Sequence, residues 1–431
     1  MQSTIVFRPR LSPRPVTHRR SQTKAVEAVR EVHAIKPLVR WAFYAFVFSI
    51  LFEEFPIGVP LEMTQISGGL LVAAALLVQP RVCFRRPPAA FWCFAAYFCV
   101  GIGTLFSHGS MSQDALLRQI VLIQLIFMFW LVYNVMRDEG AARGALLALA
   151  ASCLVLSLLQ ILGLTSRTGA TRLGRFSAYG LDSNHMAGVL SLGVIALVGL
   201  VYGSMRSTVR SRLVIWPIFA VIGLTIIRTG SRGALLALAA GLFVFTLNRG
   251  TILTKLRSLI VILAGIGVFS AIAYQSKMIK HRFQVTLESG EMSRREDIYP
   301  LGFQMFLEQP VLGWGPWENT VELGNRMQVP SYERLDTHNQ ILYVLTATGI
   351  LGGIPFLIGI WLCARAAWRA RGGAHGILPL AMTVFVLVAG MSSSGLHWKQ
   401  YWVVLAYAMA SGGMSVIRSQ PVRSKIEPVL T

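Results

Sequence analysis

Charged residues are scarce in this 431-residue chain, at 14% against 54% hydrophobic. A soluble fold of this length needs more charge to cover its surface, so a water-soluble globule is excluded and a polytopic membrane protein is expected. Acids are scarcer still, 19 Asp+Glu against 40 Lys+Arg. There is no D-x-D pair outside the apolar runs, no C-x-x-C and no H-E-x-x-H, so neither a catalytic metal nor another cofactor is expected. Of the five cysteines, Cys93, Cys99, Cys153 and Cys363 fall in apolar runs and Cys83 in a basic loop. No pair faces an oxidising compartment, which argues against a disulfide framework. The basic residues are spread over short loops without a recognition module, which excludes nucleic acid as a partner.

What is present is a succession of apolar runs. A hydrocarbon core of roughly 30 Å takes about 20 apolar residues per helix, and such runs are expected as helices near 38–54, 64–80, 89–106, 115–136, 144–164, 183–203, 213–228, 231–248, 256–275, 339–364, 376–393 and 397–417. They are continuous rather than alternating, which favours helices over a barrel. The expected fold class is all-α, with about twelve membrane helices.

The first forty residues hold Arg8, Arg10, Arg14, Arg19, Arg20, Lys24, Arg30, Lys36 and Arg40 but no short apolar segment with a cleavage site. They read as a basic cytoplasmic tail, 1–37, rather than a cleaved signal peptide. From that start, the connections at 81–88, 137–143, 204–212, 249–257 and 365–375 and the tail 418–431 also fall inside, and they are rich in arginine. The organisation expected is helices one to nine over 38–275, a periplasmic segment over 276–338 and helices ten to twelve over 339–417. The positive charge sets orientation and attracts anionic membrane lipids.

Some arginines break that rule. Arg167, Arg172 and Arg175 lie in an outer loop, Arg228 and Arg232 flank the turn "RTGSRG", and Arg294 and Arg295 lie in the long outer segment. Arginine's rigid fork matches phosphate oxygens with paired charge-assisted hydrogen bonds, so the set suits a lipid diphosphate; for any one of them the alternative is snorkelling to outer headgroups. At Arg232, Gly230 and Gly233 permit close backbone approach and Ser231 can cap the next helix, whose N-terminus also favours an anion.

The segment 276–338 carries turn signals, short amphipathic stretches and the aromatics Trp314, Trp317 and Tyr332, which suit an interface and could stack on sugar rings. It ends in "LDTHNQILYVLTATGILGG". Asp336 and Thr337 are expected N-caps, with His338 on the first turn, where free N–H groups would leave the imidazole able to accept a proton. Gly349 and Gly352, with Gly353 beside them, are spaced to let another helix pack closely behind it.

The segment "HNQILYVLTATGILGG" resembles the motif of bacterial O-antigen ligases, a His-Asn followed nine residues later by G-x-x-G-G. "GRFSAYGLDSNHMAG", "GSRGALLALAAG" and "RREDIYPLGFQMFLEQPVLGWGPWE" are similar to other blocks of the wider O-antigen ligase and polymerase family, so the likeness covers roughly residues 170 to 365. It implies a metal-independent, GT-C type glycosyltransferase taking a glycan from undecaprenyl diphosphate at the periplasmic face of the bacterial inner membrane. The acceptor in the ligases is the lipid A core, and in the polymerases another lipid-linked repeat. By motif, His338 matches the histidine proposed to activate the acceptor; Arg175 and Arg232 match arginines proposed to engage the donor diphosphate. Arg295 transfers less directly, since Arg294 fits the motif equally well. Asp336, Asn339 and the three glycines would support the site. A polytopic transporter is the reading from a different class, but no inverted repeat is visible.

Overall fold

The computed structural model describes residues 34–53, 55, 61–109, 112–165, 176–179, 181–203, 209–247, 294–329 and 335–419, with scattered positions between 251 and 288, and the side chains of these except for 202–214 and 415–419. Among the described residues there is no strand, only an isolated bridge between Ala178 and Leu181. The all-α expectation holds. Helices α1 (Pro37–Ser49), α2 (Met63–Val78), α3 (Ala89–His108), α4 (Gln113–Val135), α5 (Glu139–Ile161), α6 (Ser183–Gly203), α7 (Val209–Thr229) and α8 (Arg232–Phe243) come first. Two shorter ones follow, α9 (Arg295–Glu308) and α10 (Glu318–Arg326), and then α11 (Gln340–Ala370), α12 (Leu378–Gly390) and α13 (Lys399–Ser419). The helix expected over 256–275 lies almost wholly outside the described residues. Among the described residues, five helices are long and apolar enough to cross a membrane by length and composition.

Local chemistry sets the starts. Pro37 opens α1 at a position whose N–H has no helical partner. The Ser112 hydroxyl accepts from the Ala115 N–H at 3.2 Å, and Glu62 and Gln65 form a capping box on α2. Asp138 caps α5 through the Ala141 N–H at 2.8 Å. The same carboxylate accepts from the Ile35 N–H at 2.8 Å and the Arg40 guanidinium at 2.7 Å, tying the chain before α1 to the α4–α5 turn. Removing it strips a cap and leaves buried donors unpaired. Asp138→Ala is expected to cost about 3 kcal/mol, read as a lowered midpoint in thermal unfolding of the detergent-solubilised protein; an unchanged midpoint would refute the tie.

The long helix α11 runs through the middle, packed against α3 on one side and α13 on another, with α4 behind α13. Phe94, Phe129, Phe356 and Trp402 interlock where these helices meet, Phe94 lying 5.0 Å from Trp402 and 5.4 Å from Phe129 between ring centroids. Edge-on aromatic contacts of this kind add directional attraction to packing in an environment where lipid is as apolar as the side chains.

α11 is not one straight helix. At Gly349 the backbone turns to φ 58°, ψ −159°, a region open essentially to glycine alone. The break frees carbonyls above it and N–H groups below it, and the chain between α9 and α10 takes up both. The Trp314 and Gly315 N–H groups donate to the Thr346 and Ala347 carbonyls at 2.8 and 2.9 Å; Ile350 and Leu351 donate to the Pro310 and Val311 carbonyls at 2.8 and 3.2 Å. A Cβ on Gly349 would overlap the Val311 carbonyl. The expected role of these glycines is thereby corrected. Gly349 admits a loop backbone rather than a neighbouring helix, and a Cβ on Gly352 or Gly353 would first meet Thr348 or Leu345 of α11 itself.

That loop belongs to a compact pair. α9 and α10 enclose Ile298, Met305 and Leu323, and Arg326 of α10 grips Glu308 of α9 through two bonds, 2.5 and 2.9 Å, while also holding Glu322 at 2.7 Å. Trp314 packs against this pair, whereas Trp317 packs with Leu105 of α3 and Ala115 of α4. The Trp314 indole donates to the Met305 carbonyl at 2.8 Å and Trp317 is 8% exposed; Tyr332 lies outside the described residues.

Candidate functional site

The short connection 391–394, "MSSS", between α12 and α13 is where the polar groups of one end of the bundle meet. The Arg295 guanidinium donates to the Ser392 carbonyl at 2.7 Å. Tyr299, one turn further along α9, donates to the Met391 carbonyl at 3.0 Å, with the His338 carbonyl at 3.4 Å. Burial pushes its phenol up, Arg295 opposing, so the hydroxyl remains a donor at neutral pH. The Ser394 hydroxyl donates to the Asp336 carboxylate. At the start of α8, a Cβ on Gly233 would overlap the Ser392 side chain, so the backbone next to Arg232 abuts the same connection. The residues lie far apart in the sequence, from Gly233 to Ser394, and their convergence is a property of the fold.

Arg232 is half-buried at the first position of α8, and Ser231 caps that helix as expected, its hydroxyl accepting from the Ala234 N–H at 3.4 Å. Gly230, at φ 65°, makes the turn from α7. Of the two adjacent arginines, Arg295 is half-buried and turned to the 391–394 connection, whereas Arg294 is exposed, at φ 64° before α9 begins. Arg175 lies outside the described residues, as do Arg167 and Arg172. The next residue, Phe176, donates its N–H to the Arg228 carbonyl at 3.2 Å, and the Arg228 guanidinium stacks over its ring at 5.3 Å.

The histidine stands differently from expectation. α11 begins at Gln340, and its cap is Asn339, whose side-chain oxygen accepts from the Ile341 and Leu342 N–H groups at 3.0 and 3.1 Å. Asp336 and Thr337 do not cap it, and His338 precedes the helix rather than occupying its first turn. An amide side chain takes two N–H groups at once, which the shorter reach from positions further back cannot match. His338 adopts φ 50°, a left-handed conformation costing roughly 1 kcal/mol for a residue with a Cβ. Its side chain is 42% exposed, with Nδ1 3.9 Å from the Asp336 carboxylate. At that distance the two groups are not hydrogen-bonded. Asp336 is itself held by Ser394, and the Thr337 hydroxyl, buried, donates to the Asn339 carbonyl at 3.1 Å. The imidazole therefore sits on a fixed loop with an open face.

Two neighbouring groups escape the sequence reading. Arg118, in the second turn of α4, stacks 4.4 Å over the Trp317 ring and reaches the Pro316 carbonyl at 3.5 Å, the carbonyl that also accepts from the Tyr343 hydroxyl at 2.7 Å. His397, three residues beyond Ser394, lies edge-on to Tyr343 at 6.2 Å. Further along, Lys399 is held by Glu53, by Glu62 at 2.9 Å and by Thr64 at 2.7 Å. The available signal was "MSSSGLHWK" itself, a polar interruption between two apolar runs, and an arginine just inside an otherwise apolar helix. Among the described residues no group of three or more His, Cys, Asp or Glu side chains could hold a metal ion.

Chemically, the arrangement offers guanidinium groups that can meet phosphate oxygens and an exposed imidazole, beside a carboxylate, that can take a proton. A family model described as O-antigen ligase matches residues 217–357, the stretch that contains Arg232, Arg295, Asp336, His338 and Gly349. An O-antigen ligase of Pseudomonas aeruginosa is 27% identical over 372 residues, covering 79% of this chain and 83% of that protein.

Proposed function

From the O-antigen ligase family, which the central segment of this multi-pass membrane chain matches, we infer a glycosyltransferase that moves a polysaccharide from undecaprenyl diphosphate to a lipid A core acceptor at the periplasmic face of the inner membrane. The convergence of α8, Arg295, Tyr299 and the Asp336–His338 loop on the 391–394 connection is the observation that carries this reading.

In the proposed reaction the donor diphosphate lies against Arg232 and Arg295, with Arg175 as a third cation. His338 takes the proton from an acceptor hydroxyl as that oxygen attacks the anomeric carbon. The bond from the anomeric carbon to the phosphate oxygen breaks, and undecaprenyl diphosphate leaves with the electron pair, its growing charge met by the guanidinium groups. Asp336 stands beside the imidazole, 3.9 Å from Nδ1, as that proton arrives. No electron carrier is needed, and the only proton moved is the acceptor's.

The same chemistry with a lipid-linked repeat as acceptor would make the protein a polymerase. Purified protein incubated in EDTA with an undecaprenyl-diphosphate-linked glycan and either lipid A core or a second lipid-linked repeat separates the two. Transfer to the core is expected. Product on the second repeat alone would make it a polymerase, and no transfer to either would overturn the reading.

A further inference from the structure

The segment 276–338 was expected to stand outside the membrane, yet part of the exposed surface of its described stretch 294–329 is apolar. On α9, Phe303 is 55% and Leu307 59% exposed, one helical turn apart; beyond the helix, Val311 is 55% and Leu312 38% exposed. Gln304 and Glu308, also exposed, form the adjoining stripe. With its third face packed on Ile298 and Met305, α9 presents Phe303 and Leu307 outward as one apolar stripe.

Its depth follows from α11. Beyond the break the continuous part of that helix runs from Ile350 to Ala370, about 31 Å at 1.5 Å per residue, and so matches a hydrocarbon core of roughly 30 Å. Near its far end, Arg365 stacks on Trp361 at 5.1 Å and Arg371 on Trp368 at 3.8 Å, pairs of the kind that gather where hydrocarbon meets headgroups. Counting back about 20 residues puts the other boundary near Ile341 from the first pair, or near Thr348 from the second. Either way the break at Gly349 stands at or inside the hydrocarbon edge. Residues 310–315 are bonded to α11 at that level. Their apolar side chains continue the outward face of α11, where Ile350, Leu351 and Ile354 are 44%, 51% and 56% exposed. Irregular backbone can exist at such depth only when its polar groups are satisfied by protein, and the four hydrogen bonds across the break do that for the Pro310 and Val311 carbonyls and the Trp314 and Gly315 N–H groups.

We propose that the Phe303–Leu307 stripe of α9 and the 310–312 turn are immersed in the leaflet on the His338 side, in contact with the acyl chains of bilayer lipids. α9 then runs from Arg295, beside the 391–394 connection, into the leaflet, and fixes the height of the candidate site above the hydrocarbon. This rests on geometry and exposure, independently of any reaction.

The unmodified protein in phosphatidylcholine vesicles carrying a diazirine-bearing acyl chain tests it, with adducts mapped by peptide mass spectrometry after irradiation. Residues 303–312 are expected to be labelled like 350–358 of α11, and severalfold more than 318–326 of α10. Labelling of 350–358 with none on 303–312, or equal labelling of α9 and α10, would overturn the proposal. Leu307→Glu with Val311→Glu should lower labelling of 303–312 severalfold and leave 350–358 unchanged; unchanged labelling of 303–312 would count against immersion.

Discussion

His338→Ala is expected to lower glycan transfer by about a thousandfold while the protein inserts and folds as before. The side chain is 42% exposed, and its ionic neighbour, Asp336, is 3.9 Å away and already held by Ser394. Truncation therefore opens no cavity and orphans no buried donor, which separates this substitution from one that damages the fold. The measurement is transfer from the lipid-linked donor by variant and wild type at matched amounts, with elution in detergent as the check on folding. Asp336→Asn keeps an oxygen for Ser394 but loses the charge, so a smaller loss is expected. Retained transfer in His338→Ala would remove the imidazole from the mechanism, and the arginine site would have to act without it.

Gly349→Ala should be the most destabilising single methyl in the described structure, costing about 3 kcal/mol or more. Two effects add. The backbone angles at this residue are closed to alanine, and the new Cβ would fall on the Val311 carbonyl, pushing the loop away from the four hydrogen bonds that close the break. Expelling 310–315 also displaces α9, which carries Arg295 and Tyr299, so activity should fall together with stability. Gly109→Ala separates the two effects. Gly109 shares a positive φ, 65°, but a Cβ there meets nothing within 4 Å, so a loss of roughly 1 kcal/mol is expected. Thermal unfolding in detergent decides between them; equal shifts for the two variants would mean that the break is not held by the loop.

The helices were largely legible because apolar runs of membrane length admit few alternatives. The runs expected at 89–106 and 183–203 correspond to Ala89–His108 and Ser183–Gly203, where length and hydropathy settle the matter and caps only trim the ends. The cap of α8 was legible for a similar reason, since Ser231 needs nothing beyond its own chain to reach the Ala234 N–H. Asn339 was misread because several capping residues stand in a row in "DTHN", and which one caps depends on backbone angles fixed elsewhere, including the left-handed turn at His338.

The sequence alone determined that this chain is helical and membrane-embedded, because the cost of burying charge in hydrocarbon and of leaving backbone unpaired there is local and can be read residue by residue. It also supplied the residue types of the candidate site, the histidine and the arginines, through a family pattern. Only the tertiary structure decided that the 391–394 connection gathers α8, Arg295, Tyr299 and Asp336, and that Gly349 receives a loop rather than a helix. Those outcomes depend on contacts between segments far apart in the chain. Their energies come from geometry that no stretch of sequence contains, the meeting of a carbonyl on one segment with a donor on another.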